Sequence, residues 1–246
     1  MALQNFGTDI NAVVFGAGGG LGGAFVDALA VDDAVARVHA VSRGVPGFSS
    51  PKVTGHACDP LDDAALAETV AAVTASGPIH LVIVATGILH GDGISPEKTW
   101  RQVDADAMAR VLAINTVAPT LIAKHVLPAL AKDRKSCLAA LSARVGSIGD
   151  NRLGGWVSYR ASKAALNMMI RTFSIELARV NAGAAFIGLH PGTVETGLSE
   201  PFRGGVPKGG LFTPERSVAG MLKVVDGIDP EMSGKILDYS GKEVPS

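Results

Sequence analysis

The sequence predicts an α/β protein, a single domain of helices packed on the strands of a doubly wound parallel sheet. Three observations predict it. Short β-branched runs alternate with longer amphipathic ones along residues 1–246, with no internal repeat, linker or low-complexity segment between them. The apolar runs are nearly continuous, as in residues 79–85, and strands buried on both faces read that way. The first such run passes directly into a glycine-rich turn and a helix. Composition agrees: hydrophobic residues make up 47% and aromatic ones only 5%, so the core is built from Ala, Val and Leu. A net charge of -1 argues against binding nucleic acid through bulk electrostatics. No apolar run approaches the roughly 18 residues of a membrane span, and residues 1–11 lack a basic segment followed by an apolar one. A cytoplasmic protein with no membrane or nucleic-acid partner is the expectation. Cys58 and Cys137 lie far apart without metal-like spacing, which predicts reduced thiols and no metal centre.

Residues 12–15 form the first strand and run into Gly16-Ala17-Gly18-Gly19-Gly20-Leu21-Gly22-Gly23, ahead of an apolar helix over 24–30. Missing Cβ atoms let a pyrophosphate approach such a turn, and the free N–H groups of the helix start face the anion. The spacing of Gly16, Gly20 and Gly22 is G-x-x-x-G-x-G, against a shorter first interval in the dinucleotide fingerprint. A merely flexible glycine loop is the competing reading. The second strand, 35–41, ends in Ser42-Arg43, where an NAD site would offer an acid to the ribose 2′-hydroxyl. A small serine followed by a guanidinium suits a 2′-phosphate instead, which predicts NADP and a preference for NADPH over NADH; otherwise Arg43 is a surface loop residue.

A third strand spans 53–57, and Asp59 after it either reaches the adenine edge or caps the helix over 62–75, which Gly77-Pro78 stops. The fourth strand, 79–85, ends at Thr86-Gly87. Ligands of doubly wound sheets sit beyond the carboxyl ends of the strands, so Gly16, Arg43, Asp59 and Gly87 open on one edge. The loop 88–102 carries His90 and Trp100, neither with an assigned catalytic role.

A long helix runs from 103 toward 130 and contains Asn115 and Pro119. Proline lacks an N–H, so the carbonyl of residue 115 loses its helical partner; it either holds a water or marks a packing kink. The fifth strand, 136–141, leads into Ser142-Ala143-Arg144-Val145-Gly146-Ser147. The helix that follows carries Tyr159 and Lys163 four apart on one face, running to about 180. An ammonium beside a phenol favours the phenolate and lowers its reference pKa of about 10, so the pair could move a proton to or from a substrate oxygen. A solvated helix face is the alternative. A sixth strand over 184–189 precedes His190-Pro191-Gly192-Thr193-Val194-Glu195-Thr196. The Gly- and Pro-rich stretch 197–212, without an apolar period, is expected to be a substrate lid. Thr213-Pro214-Glu215 opens another helix, and 234–238 forms a last short strand.

These phrases together resemble the short-chain dehydrogenase/reductase family over nearly the whole chain, most closely its branch of sniffer-like carbonyl reductases and C-factor-like proteins. The phrases are 146–151, Gly154-Gly155-Trp156, residues 159–167 and residues 190–194. The resemblance implies a Rossmann-type sheet of seven parallel strands with helices on both faces. It also implies hydride transfer between NADP(H) and a small carbonyl or alcohol, in a homodimer or homotetramer paired through the helices bearing Asn115 and Tyr159. By position, Tyr159 would protonate the carbonyl oxygen, while Lys163 would lower its pKa and bond the nicotinamide ribose. Asn115 would hold, through its main-chain carbonyl, a water that relays protons to Lys163. Gly16, Ala17, Gly20, Leu21 and Gly22 would line the pyrophosphate and Gly87 the adenosine side. Pro191, Gly192, Val194 and Thr196 would border the nicotinamide. A signalling or regulatory protein that binds cofactor with little turnover is the alternative, raised by the C-factor-like resemblance.

Three departures from the family pattern stand out. Phe15 replaces a threonine before the first glycine, and Val84-Ala85-Thr86-Gly87 replaces Asn-Asn-Ala-Gly. The family's catalytic serine sits three residues before a glycine, and here that position is Ala143, three before Gly146. Ser142 is one place early, and on an extended strand a one-residue offset turns a side chain to the other face. Either Ser142 reaches the substrate oxygen through a bulge, or Ser147 substitutes, or the hydrogen bond is missing; Ser142 is carried as the candidate.

Overall fold

The computed structural model describes residues 3–205 and 209–245. In chain order the first half is β1 (Ile10–Phe15), α1 (Gly20–Ala30), β2 (Val35–Ser42), β3 (Val53–Ala57), α2 (Asp63–Thr74) and β4 (Leu81–Val84). The second half is α3 (Ala105–Leu112), α4 (Ala118–Val126), β5 (Ser136–Leu141), α5 (Val157–Val180), β6 (Ala184–His190), β7 (Thr193–Val194), β8 (Leu211–Phe212), α6 (Pro214–Gly227) and β9 (Ile236–Asp238).

The near-continuous apolar runs do become strands sealed on both faces: every residue of β1, β4 and β5 is buried. Alternate residues face opposite layers. Ala12 and Val14 join Phe25 and Leu29 of α1 and Met221 and Leu222 of α6. Val13 and Phe15 join Leu66 of α2, Ile122 of α4 and Leu166 and Ile170 of α5. The seven-stranded sheet has the order β3-β2-β1-β4-β5-β6-β9, all pairs parallel. The chain winds outward from β1 to β3 and returns to β4 on the other side of β1. The crossovers therefore diverge at the carboxyl ends of β1 and β4, the place where such sheets hold ligands.

Several expected boundaries move. Helix α1 starts at Gly20 rather than 24, so the glycines form its first turn. Their poor intrinsic helix propensity hides this start from sequence reasoning. The helix expected over 103–130 is segmented: a 3-10 turn at Trp100–Gln102, α3, a π turn at Ala113–Val117, then α4. Pro119 follows the π turn immediately, as its missing N–H requires the ladder to be reset. The segment Ala105–Ala129 also corrects the expectation of no span-like run, because by length and composition (hydropathy 1.3) it could cross a membrane. Its most apolar window is 44% buried within the fold, as a core helix is. Finally, β7 and β8 pair in parallel at the two ends of the expected lid, a two-residue contact that no periodic pattern signals.

Candidate active site

The glycine turn is shaped by close backbone approach. Gly16 has φ +82°, and a Cβ there would stand 2.8 Å from the carbonyl carbon of Ala85 and 2.9 Å from the Thr86 nitrogen. A Cβ on Gly22 would stand 2.0 Å from Gly16 O. Only glycine at both positions lets the exit of β1 lie against the exit of β4 while α1 starts beneath it. No side chain caps α1, whose N-cap is Gly19, and its first turn holds no acid. The positive end of the helix therefore points into the cleft without a competing anion.

That cleft, of about 600 Å³, is lined by Gly16, Ser42, Arg43, Asp59 and Gly87 among the expected residues, and by Thr86 beside them. Gly20 lies against Thr196, since a Cβ on it would be 2.9 Å from Thr196 Cγ2. The side chains of Ala17 and Leu21 do not line the cleft. They lean on the core, and the Ala17 N–H donates to Val41 O at 3.1 Å. Ser42 Oγ donates to Gly44 O at 2.6 Å, shaping the turn that presents Arg43. Arg43 is exposed at the mouth and has no hydrogen bond or ion pair among the described residues. Asp59 accepts from Leu61 N at 3.0 Å, while the cap of α2 is Asp62, which accepts from the N–H groups of Ala64 and Ala65.

The catalytic side is built where α3, α4 and β4 meet α5. Asn115 is fully buried in the π turn. Its amide donates to Ile88 O at 2.9 Å and Ser162 Oγ at 3.0 Å, and its Oδ1 accepts from Ile88 N at 2.7 Å. Sequence reasoning weighed only its main-chain carbonyl; the side chain clips the exit of β4 to α5. Lys163 is buried and donates to Leu141 O at 2.8 Å. A Cβ on Gly87 would lie 3.6 Å from Asn115 Oδ1 and 3.8 Å from Lys163 Nζ, so Gly87, which lines the cleft, sits against both side chains. Lys163 Nζ lies 5.8 Å from the centroid of the half-buried Tyr159 ring.

Burial dominates the titration of this pair. It pushes Tyr159 up to about 12 and Lys163 down to about 8, because each charged form loses water that the surrounding groups do not replace. This corrects the expected direction for the phenol in the protein alone: the ammonium is bonded to a strand-end carbonyl and offsets too little of the desolvation.

The serine question is answered geometrically. Ser142 Oγ donates to Asn167 Oδ1 at 2.6 Å, one turn beyond Lys163 on α5. The Ser147 hydroxyl accepts from Asp150 N at 3.0 Å in the following turn. Ala143 is buried and continues the extended strand at φ -150°, so there is no bulge to swing Ser142 to the other face. Ser142, carried as the candidate, thus has its hydroxyl bonded to Asn167.

The start of α5 is held from a distance. Gly154, Gly155 and Trp156 all have positive φ (64°, 66° and 53°), and Trp156 supplies no cap. Instead the buried Glu97, from the loop after β4, accepts from Ser158 N and Ser158 Oγ, while its own carbonyl accepts from Trp156 N at 2.5 Å. Sequence reasoning missed Glu97 because a cap 61 residues away leaves no local spacing.

Pro191–Thr196 is anchored from several sides. Ser217 Oγ donates to Pro191 O at 2.7 Å, Gly192 turns at φ +77° against the Phe212 ring, and the buried Val194 pairs with Phe212. Beyond it the expected lid includes a 3-10 helix at Glu200–Gly205. Phe202 meets Trp156 with ring centroids 5.0 Å apart and His90 at 5.8 Å, and Trp156 meets Tyr159 at 6.2 Å. His90 Nε2 also donates to Gly197 O at 2.9 Å, tying the loop after β4 to the start of this segment. Residues 206–208 of that stretch lie outside the described residues.

A family model described as short chain dehydrogenase matches residues 11–205. The C-signal protein of Myxococcus xanthus is 41% identical over 143 residues, covering 58% of this chain and 81% of that protein. The crystal structure of an NADPH-bound carbonyl reductase from chicken fatty liver superposes with a TM-score of 0.83 at 28% identity, covering 98% of this chain and 100% of that one. The carbonyl reductase Sniffer of D. melanogaster shares the fold, with a TM-score of 0.83 at 20% identity over 96% of this chain and 100% of that chain.

Proposed function

Because the chain belongs to the short-chain dehydrogenase family, and so is an NAD(P)-dependent oxidoreductase, we propose that it transfers a hydride between NADP(H) and a small carbonyl or alcohol, with Tyr159 as the general acid and base. The observation that carries this reading is the cleft at the uncapped start of α1, lined by Arg43 and Gly87, with Lys163 and Asn115 packed against Gly87 at its edge. The donor set fits a dinucleotide: an uncapped helix start suits pyrophosphate, and an exposed, unpaired guanidinium suits a 2′-phosphate. Arg43 without an acid at the end of β2 supports NADP over NAD. Pro191, Gly192, Val194 and Thr196 are the proposed border of the nicotinamide.

Bound nicotinamide supplies or accepts the hydride. Tyr159 donates a proton to the carbonyl oxygen during reduction and takes it back during oxidation. Its upward-shifted phenol stays protonated at neutral pH and so carries the proton to be given, and the Lys163 ammonium, close to the ring, stabilises the phenolate left behind. Lys163, shifted down to about 8, is itself able to give up and regain a proton near neutral pH, which suits a relay past Asn115. Asn115 holds the exit of β4 and α5 in register, so that the two halves of the cleft stay aligned. Exposed Met168 and Ile175 lie seven apart on α5, Val117 is exposed on the α3–α4 segment, and they support a homo-oligomer formed through these helices.

The second reading, a cofactor-binding regulatory protein with little turnover, is favoured by Ala143 at the serine position together with the similarity to C-signal. Purified protein assayed for NADPH oxidation with a broad panel of aldehydes and ketones separates the two. Oxidation above background supports the reductase; measurable NADPH binding with none across the panel supports the regulatory protein.

A further inference from the structure

Four buried side-chain polar atoms lack a hydrogen-bond partner among the described residues: Asn11 Oδ1, Arg134 Nε, His190 Nδ1 and Thr86 Oγ1. Of these residues only Thr86 lines the nucleotide cleft. A buried hydroxyl without a partner is destabilising, and in a native protein such a group calls for an explanation such as a ligand that is not present. Thr86 stands where the family pattern has alanine, so the hydroxyl is not part of that pattern.

Its position narrows the ligand. The Thr86 nitrogen lies 2.9 Å from where a Gly16 Cβ would be, so the residue abuts the glycine turn from the β4 side. It shares its cleft with Arg43, Asp59 and Leu61, the end at which the adenosine half of a dinucleotide would lie. A hydroxyl can donate to a ribose or phosphate oxygen there, and either satisfies it.

We propose that Thr86 is a cofactor-binding residue whose hydroxyl donates a hydrogen bond to an oxygen of the adenosine half of NADP(H). This rests on the dinucleotide reading above. It has a signature that few binding residues share: the group that tightens the complex weakens the protein alone. Removing the hydroxyl relieves an unsatisfied buried group in the free protein and deletes a bond in the bound one.

The test compares wild type, Thr86→Val and Thr86→Ser by calorimetric titration with NADPH and with 2′,5′-ADP, and by thermal unfolding without ligand. Thr86→Val should bind both ligands about tenfold more weakly, the ordinary size of one hydrogen bond to an uncharged or charged oxygen. Its ligand-free Tm should rise by about 2–4 °C. Thr86→Ser should keep wild-type affinity. Unchanged affinity in Thr86→Val means the hydroxyl takes only a water, and overturns the proposal. A loss for NADPH without a loss for 2′,5′-ADP overturns the assignment to the adenosine half. A fall in Tm with equal weakening in Thr86→Ser means the methyl group packs and the hydroxyl does nothing. Should Thr86→Val misfold, Thr86→Ala, which also lacks the hydroxyl and has no branch to misfit, must show the same loss for both ligands or the proposal fails. Wild type that binds neither NADPH nor NADH sinks the dinucleotide reading itself, a result distinct from all of these.

Discussion

Lys163 offers a prediction in which stability and activity move in opposite directions. The residue is 3% exposed, and burial brings its ammonium from 10.5 down to about 8. At 1.36 kcal/mol per tenfold, that gap is a penalty of about 3 kcal/mol on the protonated folded state. Between pH 8 and 10.5 the unfolded chain binds the proton that the folded chain has released, so stability rises with pH across this window. Below pH 8 both states are protonated and the penalty is present in full. Replacing Lys163 with Met removes the penalty and also removes the bond to Leu141 O at 2.8 Å, whose loss costs about 1–2 kcal/mol. The net result at pH 7 is a gain of about 1–2 kcal/mol, or about 2–8 °C in Tm for a chain of this size. Calorimetric unfolding of ligand-free wild type and Lys163→Met between pH 7 and 9.5 checks it. The wild-type curve should climb toward that of the variant as pH rises, since only wild type carries the titrating group. Above pH 10 the upward-shifted Tyr159 adds the opposite trend, because the unfolded chain ionises first and stability falls. A variant that melts below wild type at pH 7 with a parallel pH dependence would refute the reasoning. The confirming result would mean that a destabilising buried charge is retained for chemistry.

Three further outcomes are expected. Tyr159→Phe should lower kcat at least about 100-fold while leaving the NADPH Kd within about twofold, as loss of a general acid acts on chemistry alone; an active variant rejects the proton-transfer role. Arg43→Ala should weaken NADPH at least about tenfold while barely changing NADH, and equal losses for both cofactors reject Arg43 as the reader of the 2′-phosphate. Ala143→Ser places a hydroxyl where the family carries its second hydrogen-bond donor, and it should raise kcat by about 100-fold with unchanged NADPH affinity. Turnover that does not increase would show that another group already meets the substrate oxygen.

Much of the fold was legible in the chain because its signals are local. Continuous apolar runs at 79–85 and 136–141 read as doubly buried strands, and Gly16 through Gly23 stood out between a strand and a helix. Tyr159 and Lys163 were visible by spacing, and Ala143 by its distance from Gly146. The pieces that escaped depend on contacts between segments far apart in sequence. Glu97 caps α5 across 61 positions, Asn115 uses its side chain to join Ile88 to Ser162, and Phe202 closes on Trp156.

What the sequence by itself determined, then, was the sheet, the glycine turn and the placing of Tyr159 and Lys163 one helical turn apart, since period, propensity and spacing act within a few residues. The tertiary structure alone decided which hydroxyls are committed and which are free: Ser142 to Asn167, Ser147 to Asp150, and Thr86 to no partner among the described residues. It also decided the direction of the Tyr159 shift. Hydrogen-bond satisfaction and desolvation depend on everything within a few ångströms, and that neighbourhood exists only once the chain has folded.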